Sequence, residues 1–398
     1  MNKKGLMNFL SSVLVLIIGL LIGLVILFIS NPNQAMGAFV RILTFGASSM
    51  RNIGDVLLSA TPYIFTGLSV AFAYRTGLFN IGATGQFTVG SFSALFVAIE
   101  FTFLPPSLRI FVAILAAALA GGLWGSIPGF LKAYRNVHEV ISCIMLNYIG
   151  MFFTNYLIMN TIFDAHLAGT QHPPSYTNLP NLGLNRIFND GVGQFNESRV
   201  NIGILIAIGV AILIHVILEK TTFGYELKAC GFNRDAAKYA GINENRNIVL
   251  SMSICGALAG VGGALFYMNG TGVFMSVIDS LAPQGFIGIS VAFLGMNHPI
   301  GIIFSGVLIS YLYAGGSRMQ MFGFSSEFVE IVIAIIIYFC AFVFLVRSWI
   351  ERVMGNRTHS QQNNEDLGAE SPESQLSQLK ENANLTENAN TNDGGKEQ

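Results

Sequence analysis

The chain contains long apolar runs that follow one another with mostly short polar connections. A helix needs about 20 predominantly apolar residues to cross about 30 Å of hydrocarbon. Charged residues make up only 11% of the chain and hydrophobic ones 52%, whereas a soluble domain carries about 25% charged residues. We therefore predict an all-α polytopic membrane protein with about ten transmembrane helices. The predicted spans are 6–30, 55–75, 80–103, 108–131, 138–162, 200–219, 247–269, 275–296, 298–316 and 327–347.

The first run follows the basic start MNKKG, as the apolar region of a secretory signal does. Its apolar stretch of about 24 residues is longer than the roughly 7–15 residues of a cleaved signal. We therefore interpret residues 6–30 as an uncleaved first span. Lys and Arg collect in cytoplasmic loops, and with ten spans most of them share the side that carries Lys3, Lys4 and residues 220–246. We predict that both termini are cytoplasmic.

The polar segments divide the chain. We assign residues 1–354 to the membrane domain, in which residues 163–199 form a polar outer loop and residues 221–246 a charged cytoplasmic segment. Residues 355–398 are rich in Asn, Glu, Ser and Gln and cannot bury enough apolar surface to fold. We predict that they form a disordered cytoplasmic tail.

Several function classes are disfavoured by the sequence. The net charge of −1 gives no indication of a nucleic-acid partner. The four cysteines are scattered without a C-x-x-C pair, which is typical of small buried apolar residues rather than disulfides. No histidine pair has metal-ligand spacing, and the phosphate-binding motif G-x-x-x-x-G-K-[ST] is absent. We predict no metal site, no cofactor bound by this chain and no enzymatic activity of its own.

The charged segment reads KTTFGYELKACGFNRDAAKYAGINENRN. Asn233 can cap a short helix that begins near Arg234, and Gly241 can end it. Such a short helix is not stable alone in water, so we expect it to dock on another surface. A solvated loop is the alternative.

The stretch GLFNIGATGQFTVG, residues 77–90, lies between two apolar runs. Irregular backbone is tolerated in a membrane only where it is buried in protein or lines a cavity. We predict broken or re-entrant helices here and around 275–300, with polar side chains that line a pathway. Helix packing is the alternative, because small residues let spans approach closely.

Three sequence blocks carry a resemblance. Asp235-Ala236-Ala237-x-x-x-Gly241 resembles the E-A-A-x-x-x-G loop of ABC importer permeases. GLFNIGATGQ resembles the GLFNIGAEGQ of the purine-nucleoside branch of the permease family for branched-chain amino acids, ribose and nucleosides. A third block, GFIGISVA from Gly285 with Pro299-Ile300-Gly301 after it, is also similar to that family. The resemblance spans roughly residues 50–345, with departures at Thr84, Asp235 and Ile287.

The resemblance implies a transmembrane permease subunit of an ATP-binding-cassette importer in a bacterial cytoplasmic (inner) membrane. Nucleosides are the expected substrates, and ribose, other simple sugars or branched-chain amino acids are the alternatives. The implied partners are a separate ATPase subunit that uses ATP and Mg²⁺, a second permease subunit in a homodimer or heterodimer, an extracytoplasmic substrate-binding lipoprotein, the substrate and membrane lipid.

Two sets of site residues are predicted. The candidate pathway residues are Phe79, Asn80, Thr84, Gln86, Asn147, Tyr148, Asn269, Gln284 and Phe286. The candidate ATPase-docking residues are Gly224, Glu226, Gly231, Asn233, Arg234, Asp235, Ala236, Ala237, Tyr239 and Gly241.

An ion-coupled secondary transporter is the alternative from another class. Coupling to protons or sodium requires charged residues inside the membrane. The acidic candidates Asp55, Glu100, Glu139, Asp279 and Glu330 all fall near the ends of predicted spans, which counts against ion coupling.

Overall fold

The computed structural model describes residues 3–191 and 197–340, and after them only residues 342, 346 and 348. Residues 8–343 form one compact unit, and all that follows concerns it. The predicted tail, residues 355–398, lies outside the described residues. The helices are α1 (Lys3–Ser30), α2 (Pro32–Thr44), α3 (Met50–Arg75), α4 (Ala83–Glu100), α5 (Pro106–Arg135), α6 (Glu139–Asn160), α7 (Leu184–Ile187), α8 (Gly203–Lys220), α9 (Thr222–Phe232), α10 (Arg234–Tyr239), α11 (Glu244–Tyr267), α12 (Pro283–Leu294), α13 (Pro299–Gly316) and α14 (Ser326–Cys340).

Local sequence sets many of these helix boundaries. Four helices, α2, α5, α12 and α13, have a proline in their first turn. The N–H groups of the first turn have no acceptor within the helix, so proline loses no helical hydrogen bond there. The side chain of Ser49 caps α3 by accepting from the N–H of Asn52 at 3.1 Å, and Asn243 caps α11 in the same way from Arg246 at 3.1 Å.

Seven helical segments in the described part of the chain are long and apolar enough to cross a membrane. They comprise α1, α3, α5, α6, α8, α11 and the continuous stretch Pro299–Phe322 that α13 begins. The protein is therefore a polytopic helical membrane protein, as predicted. The finer prediction of ten spans with cytoplasmic termini stays a prediction.

The eighth predicted span, 275–296, is wrong over its first part. Residues 275–282 are not helical, and α12 covers only Pro283–Leu294. At 1.5 Å per residue, α12 is about 18 Å long, which is well short of the hydrocarbon thickness. The cause is local, since Pro283 can start a helix but has no N–H to continue one from the residues before it.

The two ends of the bundle differ. At one end the strands β1 (Phe163–Asp164) and β2 (Gly169–Thr170) form a small antiparallel hairpin. Thr170 donates its N–H to the carbonyl of Met275 at 2.9 Å, so the hairpin holds the irregular segment after α11. We call this the hairpin end. The other end carries α9 and α10 and is called the α9–α10 end.

Helix α3 lies at the centre of the bundle and is buried along most of its length, whereas α1 and α5 are buried along only a minor part. Exposed apolar side chains recur every four residues on α5, which is the spacing of one helix face. They are Phe111, Leu115, Leu119, Leu123 and Ile127. In a membrane protein this face contacts lipid or another subunit.

Small residues bring α4, α5 and α11 into backbone contact. A Cβ atom on Gly260 of α11 would meet the carbonyl oxygen of Ala117 in α5. A Cβ atom on Gly256 of α11 would likewise meet the carbonyl oxygen of Gly121 in α5. A Cβ atom on Gly90 of α4 would meet the Cα of Gly260. Lipid provides no hydrophobic force between helices, so close van der Waals packing of this kind stabilises the bundle.

Replacement of Gly260 by alanine therefore tests this packing. We expect Gly260→Ala to lower the free energy of unfolding by about 1–3 kcal/mol, because the added methyl must displace backbone atoms of α5. Gly209→Ala is the matched control, since nothing lies within 4 Å of that position on α8. Thermal unfolding of both variants in detergent measures the difference, and equal transition temperatures would contradict the packing argument.

Candidate functional site

The turn between α3 and α4 gives the glycine-rich stretch its shape. Gly77 has a φ of +73°, a conformation that glycine adopts without strain. Its N–H donates to the carbonyl of Tyr74 at 3.1 Å, and the N–H of Leu78 donates to Ala73 at 3.0 Å. These two bonds satisfy the last carbonyls of α3, as helix C-caps do.

A pair of amide side chains stabilises the chain after that turn. Asn80 is fully buried and donates its Nδ2 to the hydroxyl of Ser69 at 3.0 Å and to Oε1 of Gln86 at 2.9 Å. Gln86 returns a hydrogen bond from Nε2 to Oδ1 of Asn80 at 3.2 Å. The two amides therefore satisfy one another inside the protein, where an unpaired amide costs free energy.

Asn147 of α6 holds the start of α4. Its Oδ1 accepts from the N–H of Gly85 at 2.8 Å, and its Nδ2 donates to the carbonyl of Ile81 at 3.0 Å. Gly85 also lies against the backbone of Asn147, so a larger residue has no room there. These contacts favour packing as the role of Asn80, Gln86 and Asn147. Their role in lining a pathway stays a prediction.

The first turns of α4 and α12 lie against each other. Thr84 is fully buried, and its hydroxyl has no hydrogen-bond partner among the described residues. A Cβ on Gly285 of α12 would meet the backbone and hydroxyl of Thr84. One turn further, a Cβ on Gly288 would meet Thr66 of α3. The glycines of the third sequence block thus bring α12 close to both other helices.

The remaining pathway candidates are dispersed. Phe79 is half-buried and stacks on Phe293 with ring centroids 6.0 Å apart. Tyr148 and Phe286 are exposed, and Gln284 is half-buried. Asn269 follows α11 at the hairpin end, where its Oδ1 accepts from the N–H of Thr271 at 2.8 Å. The structure thus does not bring Asn269 together with the amide pair, which lies beside the turn that follows α3.

The charged segment forms two helices joined by a cap. The Oδ1 of Asn233 accepts from the N–H of Ala236 at 3.0 Å, which starts α10. Gly241 has a φ of +82° and ends it. The predicted cap and the predicted glycine terminus are therefore confirmed.

Half of the predicted docking residues hold this segment to the bundle. Glu226 accepts from Asn247 of α11 at 3.0 Å, and Arg234 pairs with Glu244 at 3.1 Å. Ala237 is buried, Gly224 lies against the last turn of α8, and Gly231 lies against the end of α3. The others, Asn233, Asp235, Ala236, Tyr239 and Gly241, are exposed.

Two aromatic side chains outside the predicted set project from the same segment. Phe232 is 89% exposed and Tyr225 is 70% exposed, beside Tyr239 at 94%. An open groove of about 500 Å³ is lined by Tyr225 and Phe232 together with four alanines and other residues of this segment. Aromatic residues in so charged a stretch are the signal that sequence analysis missed. Clustered exposed aromatics mark protein-binding surfaces.

Charged and imidazole side chains also meet at the α9–α10 end, and sequence analysis did not connect them. Glu219 lies between Lys228 and Arg75, at 3.0 Å and 3.8 Å. The rings of His215 and His298 lie 5.0 Å apart. Burial, followed by the nearby His215 and Arg75, lowers the pKa of His298.

A polar pocket of about 610 Å³ opens at the hairpin end. Arg51, Glu197 and Arg199 line it together with the side chains of several asparagines. Asn185 donates to Glu197 at 2.5 Å and so fixes one wall. Among the described residues, no group of three or more His, Cys, Asp or Glu side chains could hold a metal ion.

Several spans pack around the buried helix α3, internal amides stabilise the turn after it, and a helical segment is attached outside the bundle. These features together define a multi-pass membrane protein. The chain belongs to the family described as branched-chain amino acid transport system, permease component, which it matches over residues 52–341. The resemblance found in the three sequence blocks is thereby confirmed.

Several characterised proteins are similar over most of their length. The guanosine ABC transporter permease protein NupP of Bacillus subtilis (strain 168) is 39% identical over 86% of this chain and 96% of that protein. The nucleoside ABC transporter permease protein NupB of Lactococcus lactis subsp. cremoris is 36% identical over 87% and 94%. The glucose ABC transporter permease protein TsgB13 of Haloferax volcanii is 31% identical over 78% and 80%. No solved structure matches the chain significantly.

Replacement of Asn147 distinguishes packing from pathway lining. We expect Asn147→Ala to lower the free energy of unfolding by about 1–3 kcal/mol, because it leaves the N–H of Gly85 and the carbonyl of Ile81 unpaired. Asn160→Ala on the same helix is the control, since the Asn160 side chain is exposed and donates a hydrogen bond to the carbonyl of Tyr156 one turn away. Thermal unfolding in detergent measures both. Unchanged stability with lost transport would instead favour a lining role.

Proposed function

We propose that this protein is the transmembrane permease subunit of an ATP-binding-cassette importer for nucleosides. The observation that carries the proposal is the match to a guanosine permease over 96% of that protein's length. The family match over residues 52–341 includes the α9–α10 segment and the turn after α3. The geometry supports it through an exposed aromatic surface at one end of the bundle and a buried polar turn next to it.

In this proposal the ATPase binds the surface of α9 and α10. Tyr239 and Phe232 supply exposed aromatic area, and the groove lined by Tyr225 and Phe232 can accept a side chain of the partner. Glu226, Arg234 and Ala237 tie the segment to the bundle, so force applied to α10 reaches α11. ATP and Mg²⁺ would be used by that partner, and this chain would carry out no chemistry.

The α9–α10 end would face the cytoplasm. Arg75, Lys132 and Arg135 lie at the ends of α3 and α5 on this side, as the positive-inside rule requires. The hairpin end would then face outward and meet a substrate-binding lipoprotein, for which Arg51 and Arg199 at the polar pocket are suitable contacts. We place the protein in the cytoplasmic membrane of a bacterial cell.

A second permease subunit would enclose the pathway with this one. Helix α6 presents an exposed face that includes Tyr148, Phe152 and Tyr156, and Phe286 of α12 is exposed as well. Aromatic rings can stack on a nucleobase, and amides can pair with ribose hydroxyls. Asn155 on α6 donates to the carbonyl of Ile278, which places this face beside the irregular segment before α12.

Sugars remain the second candidate substrate class, because the similar TsgB13 is a glucose permease protein. Branched-chain amino acids are the third, in keeping with the family's description. An ion-coupled mechanism has less support. Among the described residues the buried charged side chains are Arg109 and Glu139, each in the first turn of its helix. Glu139 pairs with Lys132 at 2.8 Å, and Arg109 donates to the carbonyl of Leu104.

The docking surface can be tested by truncating its aromatics. We expect Phe232→Ala combined with Tyr239→Ala to weaken binding of the ATPase about tenfold or more, since aromatic anchors dominate such interfaces. Both side chains are exposed, so the fold should not change. Phe103→Ala, an exposed aromatic between α4 and α5, is the control. Co-purification with the ATPase gives the readout, and full recovery with the double variant would remove this surface from the interface.

The substrate can be tested by uptake of labelled guanosine into cells that express the whole transporter. A parallel strain carries an ATPase subunit that cannot hydrolyse ATP, and uridine, ribose and leucine are added as competitors. We expect ATPase-dependent uptake that uridine blocks and that ribose and leucine do not. Uptake that survives the ATPase lesion but collapses with the ion gradient would overturn the importer mechanism, and block by ribose alone would reassign the substrate.

A further inference from the structure

We infer that Arg75 is a positioning residue that transmits movement of the α9–α10 segment to two turns of the bundle, the one after α3 and the one after α12. This inference rests on the proposed docking of an ATPase to that segment. It concerns a residue outside the docking surface and outside the predicted pathway set. Its basis is a chain of contacts that joins four elements at one point.

The first part of that chain is ionic. Nζ of Lys228 on α9 lies 3.0 Å from Oε2 of Glu219 at the end of α8. Oε1 of the same carboxylate lies 3.8 Å from Nη1 of Arg75 at the end of α3. All three side chains are about one quarter to one third exposed. Partly buried pairs are screened less by salt than exposed ones, so the shared carboxylate links α9 to α3.

The second part is a hydrogen bond to the turn after α12. Nε of Arg75 donates to the carbonyl of Asn297 at 3.3 Å. A guanidinium offers several donors in a fixed plane, so one arginine can hold a carboxylate and a carbonyl at once. Arg75 thereby joins the end of α3, the end of α8 and the connection between α12 and α13.

The turn that receives this bond is strained. Met296 and Asn297 have φ values of +57° and +52°, and neither is a glycine. A left-handed conformation is unfavourable for an L-residue, because it brings Cβ close to the following carbonyl oxygen. Asn297 is also buried, and both polar atoms of its side chain have no hydrogen-bond partner in the described ranges. A turn with an unfavourable backbone conformation and an unpaired buried amide persists only because the surrounding structure stabilises it. Loss of the Arg75 contact should therefore alter its conformation.

A backbone contact runs beside the ionic one. A Cβ atom on Gly231 at the end of α9 would lie 2.6 Å from the carbonyl oxygen of Arg75 and 2.9 Å from the nitrogen of Gly77. No side chain separates the two elements, so a displacement of α9 must displace the turn after α3. The hydroxyls of Thr76 and Ser251 share a hydrogen bond of 2.7 Å and hold that turn to α11.

Both turns adjoin helices that carry or follow predicted pathway residues. The turn after α3 continues into Asn80 and the start of α4, and the first turn of α12, at the other end of that helix from Asn297, contains Gln284 and Phe286. The first turns of α4 and α12 then meet again through Thr84 and Gly285. Movement that reaches Arg75 is therefore passed to the turn that leads into α4 and to the end of α12, and the contact between Thr84 and Gly285 joins the first turns of the two helices.

The test uses the complete transporter, reconstituted with its ATPase, second permease subunit and binding protein. Arg75→Gln removes the charge that pairs with Glu219 and the fixed fork of donors. We expect it to leave ATPase co-purification and ATP hydrolysis near the unaltered level while guanosine uptake per ATP hydrolysed falls at least tenfold. Arg75→Lys should recover part of the ratio, because it restores the charge without the fork. Arg135→Gln, an exposed arginine at the end of α5, is the matched control.

Glu219→Gln provides a second, milder variant in case Arg75→Gln does not fold. It should lower the same ratio, and the double variant should lose no more than Arg75→Gln alone, because residues of one unit are not additive. Unchanged uptake per ATP in both single variants would overturn the role of Arg75. Parallel loss of hydrolysis, uptake and thermal stability would show a structural role only, which also overturns it. If the unaltered protein neither binds the ATPase nor imports guanosine, the proposed function fails first.

Discussion

A chain that leaves helical geometry inside a membrane must satisfy its peptide groups within the protein, and the turn between α3 and α4 is organised by this requirement. Asn147 provides an acceptor for one backbone N–H and a donor for one carbonyl at the start of α4. Asn80 and Gln86 satisfy each other beside it. Helix α4 packs on α5, α11 and α12, so the positions of three further helices depend on this small set of hydrogen bonds.

Two kinds of contact divide the bundle into parts that respond differently to force. Backbone contacts between α4, α5 and α11 rely on dispersion, which weakens steeply when atoms separate by a fraction of an ångström. Helices joined in this way move as one body. The contacts around Arg75 are partly exposed ion pairs and a hydrogen bond, whose energy changes gradually with distance. The α9–α10 segment is thus attached to the bundle by interactions that can transmit movement without breaking it apart.

Local sequence rules predicted the parts of this structure that depend on neighbours in the chain. Asn233 and Gly241 delimit α10 as their residue types require, and the apolar runs located the long helices to within a few residues. The run at 275–296 was misread, because apolar composition alone does not distinguish an irregular buried segment from a helix. The contacts of Arg75 with Glu219 and Asn297, and of Gly231 with Gly77, join residues far apart in the sequence. Neither hydrophobic periodicity nor helix-capping residues indicate contacts between residues so far apart in the sequence. The exposed aromatics Tyr225 and Phe232 were missed for another reason, since exposure is decided by the fold.

An importer must open its pathway on one side at a time, and transporters commonly do so with helices that are interrupted near the substrate. Helix α12 is too short to cross the membrane, and α4 starts only after the irregular turn that follows α3. They touch through Gly285 and Thr84, where there is no space for a side chain, so one cannot tilt without displacing the other. Their other shared point is Arg75, which contacts the turn at the end of α12 and is the last residue of α3, before the turn that leads into α4. Two elements coupled at two points have few independent movements left. We therefore expect a displacement of α9 to be passed to α12 and to the start of α4 together, and through α4 to the body that it forms with α5 and α11.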